Sequence, residues 1–451
     1  MANITLRQAA QWCGGYVEEK YADITFLGAN NDTRKLQPGQ LFIALQGARD
    51  GHDFIPMAME NGAAAVLCSR QCGDYPAIIM EDPRRALGDI ARQERKRIGM
   101  KVVGVTGSVG KSTTKEMIAA VLDSAYRVEK TPVNQNNDIG MPMAILSMPE
   151  DTEIAVLEMG MNHFREIAYL SSIAQPDVGV IINIGTMHIE HLGSREGILR
   201  AKMEILEGMG ADGKLFLNGD DSLLWSQRSG AAADAVYFGE TNPQCTVLAR
   251  NVTESDGALH FHVSSGSETV SVALELEGKH YVSDALAAVS VGLHMGVAPA
   301  KIAESLLQFQ NMSGRQESFE AKGFTVIKDC YNAGPESMVA AVNVLKKKTG
   351  RRVAVLGDML ELGVRAPAEH YRIGRFAAEA ADLVLAYGPN GGRVISGALT
   401  GGMSDTHAIA FEEADKVVSA LKRMTRPGDV LLFKGSRGMR MELILEQFLK
   451  E

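Results

Sequence analysis

VVGVTGSVGKSTTKEMIAAVL, residues 102–122, reads as a strand, a glycine loop and a helix in unbroken succession. Val102, Val103 and Val105 form a short β-branched run, Gly107 and Gly110 bracket a tight turn, and Met117, Ile118, Val121 and Leu122 recur at helical spacing. A bound phosphate needs backbone N–H groups converging from a loop free of Cβ atoms, a helix N-terminus behind them and one cation. Gly107, Gly110 and Lys111 meet those needs, Ser108 between the glycines is a further nucleotide contact, and Ser112 and Thr113 follow with hydroxyls, the first placed to reach Mg²⁺. The usual P-loop has glycine six residues before the lysine; here that position is Val105, with glycines at 104 and 107. A glycine-rich turn with an exposed lysine is the plainer alternative, but the flanking strand and helix favour a nucleoside triphosphate site.

Working outward, the 451 residues are too many for one ordinary core and divide into three α/β domains: 1–97, 98–313 and 314–451. In the first, strands are predicted at 40–45, 63–69 and 77–80 and a helix at 83–97. Within it, Asp32, Thr33, Arg34 and His52 sit among turn residues, which alone would suggest an ordinary polar loop. In the second, strands at 154–158 and 178–184 end in Glu158 and Asn183, with His188 just beyond. Ligands of open parallel sheets lie at the carboxyl ends of strands, so these groups would face the loop beside Lys111. The segments 246–252, 258–263 and 268–276 alternate apolar and polar residues and predict an antiparallel insertion, followed by two helices. Beyond 314, strands at 324–328, 353–356, 383–387 and 430–433 alternate with helices at 336–348, 368–381, 412–424 and 439–449, a Rossmann-like parallel domain. The three-glycine dinucleotide fingerprint is absent, which argues against NAD.

A net charge of −9 argues against a nucleic-acid partner. No apolar run approaches the ~20 residues that span a bilayer, and the N-terminus lacks the apolar core of a signal peptide, so a cytoplasmic location is expected. Five scattered cysteines, none in a Cys-x-x-Cys pair, imply reduced thiols rather than a disulfide framework or a zinc site.

TGSVGKST with its displaced glycine, VLEMGMNHFREI around Glu158, NIGTMHIEHLGS around His188 and AKMEI around Lys202 together resemble the Mur ligases, ATP-dependent amide ligases of peptidoglycan synthesis, over essentially the whole chain. The resemblance implies ATP and Mg²⁺. It implies that Ser112, Glu158 and His188 serve the metal, that Lys202 is carbamylated and joins them, and that Arg315, Asp329 and His280 contact ATP. It makes Lys111, His188 and Lys202 the catalytic set. The family's G-x-H-N-x-x-N segment is GKHYVSDALAA here, so Tyr281 and Asp284 stand where asparagines are the rule. DTRKLQPGQLFIALQGARDGHDF resembles a uridine-nucleotide site with Thr33 and Arg34 as contacts, and VNQNNDIGMP a substrate loop with Asn134, Asn136 and Asn137. DCYNAGPESM, GDMLELG and FKGSRGMRME resemble the branch that joins D-alanyl-D-alanine to UDP-N-acetylmuramoyl-tripeptide, acting as a monomer. A diamino-acid-adding ligase or a polyglutamate synthase is the alternative of the same architecture. A P-loop switch protein is the alternative outside it, though no Asn-Lys-x-Asp motif is present.

Lys202 has its own argument. Ile198, Leu199, Ile205, Leu206 and Met209 lie at −4, −3, +3, +4 and +7 from it, so on a helix it sits inside an apolar stripe. Burial would leave a neutral amine able to add CO₂. A lysine that snorkels to solvent or holds phosphate as a cation fits the same stripe. Yet an ammonium ~4 Å from Mg²⁺ at an effective dielectric of ~20 is opposed by roughly 8 kcal/mol, and a carbamate reverses that sign.

Overall fold

A computed structural model describes residues 3–255 and 257–450. The chain forms three α/β domains, each on its own sheet. The central sheet has nine strands in the order Glu268–Leu274, Ala258–Ser265, Val247–Ser255, Val236–Gly239, Lys214–Asn218, Val178–Ile181, Lys101–Thr106, Ile154–Glu158, Val128–Lys130. The P-loop strand Lys101–Thr106 lies inside it, paired in parallel with Ile154–Glu158 and Val178–Ile181. Successive side chains of a strand point to opposite faces, and both faces here are covered, hence the unbroken valines. Val102 joins the core on one side with Ile167, Leu170 and Ile173, whereas Val103 and Val105 join the other with Met117, Ile118 and Val121.

The helix Lys111–Asp123 starts directly at the lysine because Gly110 takes φ +87°. A Cβ at Gly110 would also lie 2.6 Å from Asp284 Oδ1, so both space and conformation demand glycine. The helix Tyr281–His294 packs along Lys111–Asp123, which is how residues 170 positions apart in sequence meet at the loop.

Three details add to or differ from the sequence reading. The segments after residue 246 form the expected antiparallel pairs, and the detail added by the structure is that Val236–Gly239 pairs in parallel with Val247–Ser255, so they extend the central sheet. The strand expected to reach 184 ends at Ile181, because the Asn183 side chain leaves the ladder to bind the P-loop. The helix carrying Lys202 ends at Met203 and tightens into a 3₁₀ turn over Glu204–Glu207. Leu206 and Met209 are therefore off the helix and only half-buried, while Ile198, Leu199 and Ile205 stay in the core.

The first domain's sheet runs Tyr16–Val17, Ala77–Ile79, Ala65–Cys68, Leu41–Ile43, Ala29–Asn30. Its helix Pro83–Ile98 is capped by Asp82, whose Oδ1 accepts the Arg84 and Arg85 N–H groups at 3.0 and 3.1 Å. That helix also packs on Gly140–Leu146 and Glu166–Ala174, so the first and central domains share one apolar cluster. The third sheet runs Glu317–Ala321, Phe324–Asp329, Val430–Lys434, Arg352–Gly357, Leu383–Tyr387, Ala408–Phe411, parallel except for its first strand. The helix Gly391–Thr400 and the strand Ala408–Phe411 escape the sequence reading. The five cysteines are all free thiols. Among the described residues, no helix is long and apolar enough to cross a membrane.

Candidate active site

A cavity of about 500 Å³ opens over the P-loop between the central and third domains. It is lined by Ser108, Gly110, Lys111, Ser112, Thr113, Glu158 and His188 from the central domain and by Arg315, Asp329, Tyr331 and Lys434 from the third. Its size and mixed lining suit a nucleotide.

The loop is held from beneath. Asn183 Oδ1 accepts the N–H groups of Ser108 and Val109 at 3.1 and 2.9 Å, and Ser108 Oγ accepts the Gly185 N–H at 2.9 Å. Lys111 Nζ donates to the Gly107 and Ser108 carbonyls at 2.9 and 3.3 Å, and Lys202 Nζ donates to the same Gly107 carbonyl at 2.9 Å. Lys202 is 2% exposed. Burial first, and the Lys111 charge second, push its ammonium well below the usual lysine range. Burial lowers Lys111 too, against the pull of Glu158.

Ser112 Oγ donates to Glu158 Oε2 at 2.6 Å, Asn136 Nδ2 donates to Glu158 Oε1 at 2.8 Å, and Arg315 Nη2 donates to Ser112 Oγ at 2.8 Å. The Arg315 guanidinium lies 3.9 Å from the Tyr331 ring centroid, which steers its planar fork over the cavity. The Tyr331 hydroxyl donates to Asn134 Oδ1. Asn137 Oδ1 accepts the Ile139 and Gly140 N–H groups at 3.2 and 2.8 Å, so it braces its own turn as well as lining the cavity. Asp329 Oδ2 accepts from the buried Lys434 Nζ at 2.6 Å. His280 rests on Tyr281, ring centroids 4.1 Å apart, and burial pushes it down to about 4. Asp284 accepts from Thr114 Oγ1 at 2.7 Å, and burial pushes its carboxyl up to about 7 against the Thr114 hydrogen bond and the Arg315 charge.

His188 lies at the cavity's other end, with φ +62°, and its buried Nδ1 is 2.5 Å from Glu361 Oε2, close in distance but off the line of an aligned hydrogen bond. Thr33 and Arg34 do not line this cavity. They stay in the first domain, where Arg34 makes a two-point ion pair with Asp32, 2.8 Å on each arm, and holds that carboxyl down to about 2.

Ser112 Oγ and Glu158 Oε2 offer two hard oxygens side by side, a donor set that fits Mg²⁺. Among the described residues, no three His, Cys, Asp or Glu side chains converge tightly enough to cage a metal. That too suits Mg²⁺, which keeps several waters and takes phosphate oxygens from its nucleotide. Tyr331, Glu336 and Lys434 also line this cleft, and Glu361 lies beside it at His188. Each sits in a segment singled out as a whole, but no local pattern marks these side chains, because only folding turns them toward the cleft.

Family profiles match three stretches: the Mur ligase family catalytic domain over 23–95, the Mur ligase middle domain over 105–292 and the Mur ligase glutamate ligase domain over 314–437. The chain belongs to the Mur ligase family. It is 39% identical to the UDP-N-acetylmuramoyl-tripeptide–D-alanyl-D-alanine ligase of Bacillus subtilis, across 100% of this chain and 99% of that one. Among solved structures it is similar to MurF from Acinetobacter baumannii, with TM-score 0.91, 31% identity and full coverage of both chains. MurF ligase from Thermotoga maritima in complex with ADP gives TM-score 0.82 at 30% identity over 94% of this chain and 97% of that one. The Mur ligase architecture thus accounts for the cleft: its P-loop floor and its third-domain wall come from separately matched domains.

Proposed function

We infer that this chain is an ATP-dependent ligase that joins D-alanyl-D-alanine to UDP-N-acetylmuramoyl-tripeptide in peptidoglycan synthesis, with release of ADP and phosphate. The observation that carries it is the end-to-end match, at 39% identity, to a ligase of that printed activity, in a chain whose P-loop cleft is intact. The reading includes a cytoplasmic location and a monomeric chain.

A carboxylate is a poor acyl donor. In this reading its oxygen attacks the γ-phosphorus of ATP, ADP leaves, and an acyl phosphate forms. The dipeptide amine then adds to the acyl carbon, loses a proton, and expels phosphate as the C–O bond breaks. Lys111 and Arg315, which line the P-loop cavity, would neutralise charge spreading over the transferring phosphoryl, a reaction governed by positioning and electrostatics. Ser112 and Glu158 would hold Mg²⁺, with His188 serving a second ion, and the metal supplies further neutralisation of phosphate charge. Asp329 and Lys434, salt-bridged in the third domain, line the same cavity and would meet the nucleotide there, and seating of that domain would keep water from the acyl phosphate. Asn134 and Asn136, which line the cleft, would meet the UDP-substrate there, and Thr33 and Arg34 in the first domain would bind its uridine nucleotide.

Lys202 is read as a carbamate. Its buried, neutral-leaning amine can add CO₂ with loss of a proton, and the product keeps one N–H for the Gly107 carbonyl while placing an anion beside Lys111. The test of the whole reading is acceptor choice. Purified protein with ATP and UDP-tripeptide should release phosphate with D-alanyl-D-alanine and not with a diamino acid or glutamate. Release with either of the others in its place refutes it.

A further inference from the structure

The loop that carries His188 is gripped from the third domain. Thr186 Oγ1 donates to Glu336 Oε1 at 3.0 Å, and a Cβ on Gly185 would sit 2.9 Å from the Glu336 carboxyl carbon. Two residues on, Glu361 reaches His188 from the GDMLELG segment, and Gly363 of that segment packs against Glu190. On its other side the loop is tied to the P-loop by the Gly185 N–H to Ser108 hydrogen bond. Both members of the His188–Glu361 contact hold left-handed backbones, φ +62° and +61°, without being glycine. Such conformations are strained for residues with a Cβ and persist where the surroundings over-determine them. Here they aim two side chains at each other across a domain boundary.

The proton on His188 follows from this contact. Nδ1 is buried 2.5 Å from a carboxylate oxygen; the pair is not aligned as a hydrogen bond, but at that distance a bare Nδ1 would set its lone-pair charge beside the carboxylate, whereas an N–H there is attracted to it. The ring therefore carries its proton on Nδ1, which leaves the Nε2 lone pair for a ligand. Isolated imidazole in water leans to the opposite tautomer, so the carboxylate decides the matter. Metal-binding histidines commonly have such a partner on the second nitrogen.

We propose that Glu361 is a positioning residue for His188: it sets the imidazole tautomer and orientation from the third domain, so that the second metal position is completed only when the GDMLELG loop is seated on the central domain. This rests on the reading of His188 as a metal ligand. Glu361 itself does not line the P-loop cavity and is about half exposed, so replacing it does not threaten the fold.

The test reads the ring directly, in full-length protein labelled with ¹⁵N-histidine, its His188 signals assigned by loss in His188→Gln. Long-range ¹H–¹⁵N spectra of wild type at one fixed pH should show the Nδ1–H tautomer. Glu361→Gln, which keeps an acceptor oxygen, should retain it, and Glu361→Ala should move it toward Nε2–H. Mn²⁺ affinity of the ADP complex, followed by electron paramagnetic resonance, should weaken on the order of tenfold or more in Glu361→Ala and stay within a few-fold of wild type in Glu361→Gln. Unchanged ring shifts and unchanged Mn²⁺ affinity in Glu361→Ala overturn the proposal, as does unchanged Mn²⁺ affinity in His188→Gln. Neither spectrum depends on ligation, so failure of the proposed reaction would show separately, in the acceptor assay.

Discussion

Asp284→Asn should stabilise the nucleotide-free protein, and increasingly so as pH rises. Asp284 is buried against the P-loop and accepts one hydrogen bond from Thr114, and among the described residues it forms no ion pair. The charged group facing it is Arg315 across the cavity; Tyr281, one helical turn before it, is held neutral by burial, which pushes its phenol above the usual tyrosine range. Its carboxyl is raised from 3.8 to about 7, chiefly by burial. Below pH 4 both folded and unfolded chains hold the proton, and the group costs nothing. Above pH 4 the unfolded chain releases it while the folded chain retains it, so stability falls until about pH 7 and then levels off. At ~1.4 kcal/mol per unit the full cost is about 4 kcal/mol, of which about 2.5 kcal/mol accrues between pH 5 and pH 8. Asparagine keeps the shape and the acceptor oxygen and never ionises. The melting-temperature difference between variant and wild type should therefore grow by roughly 5–10 °C over that interval, at ~2–4 °C per kcal/mol. Calorimetry at pH 5 and pH 8 measures it. A difference that does not change with pH would mean that Asp284 is ionised throughout, and the burial argument fails. By the same logic nucleotide binding should take up a proton near pH 7.5 in wild type and not in the variant, because phosphate charge arriving at Gly110 opposes an Asp284 carboxylate.

Lys111→Ala should lower ligation by on the order of 10³-fold or more while UDP-substrate affinity, measured by calorimetric titration, stays at the wild-type level, since the two sites lie in different domains. Arg34→Ala should raise the KM for the UDP-substrate much more than that for ATP, with little change in melting temperature, because the side chain is largely exposed; a selective loss of ATP affinity would refute the first-domain assignment. Lys202→Ala should be nearly inactive and partly restored by formate, Lys202→Arg should stay inactive, and ¹³CO₂ should label a carbamate carbon in wild type alone. Full activity of the arginine variant would show that a cation suffices.

Residues 102–122 determined the P-loop strand, turn and helix without help from the rest of the chain, because alternation, glycine placement and helical period are local properties. The parallel strands of the third domain were legible for the same reason, their apolar runs being unbroken. The helix Gly391–Thr400 was not: Gly391, Gly392 and Gly397 depress its helical signal, yet Gly397, with Gly374 of Ala366–Ala378, lets the two helices approach until an added Cβ would lie 1.9–2.0 Å from the facing carbonyls. Lys202 was read as buried from a stripe that only half exists, since the helix ends at Met203, and it is buried because the P-loop closes over it from 95 residues away. Meetings of that kind belong to the tertiary structure alone. Thr114 with Asp284, Ser112 with Arg315 and His188 with Glu361 join residues 170, 203 and 173 positions apart. No local pattern encodes such pairs, because burial, partner and therefore charge state depend on which surfaces the sheets and helices bring face to face.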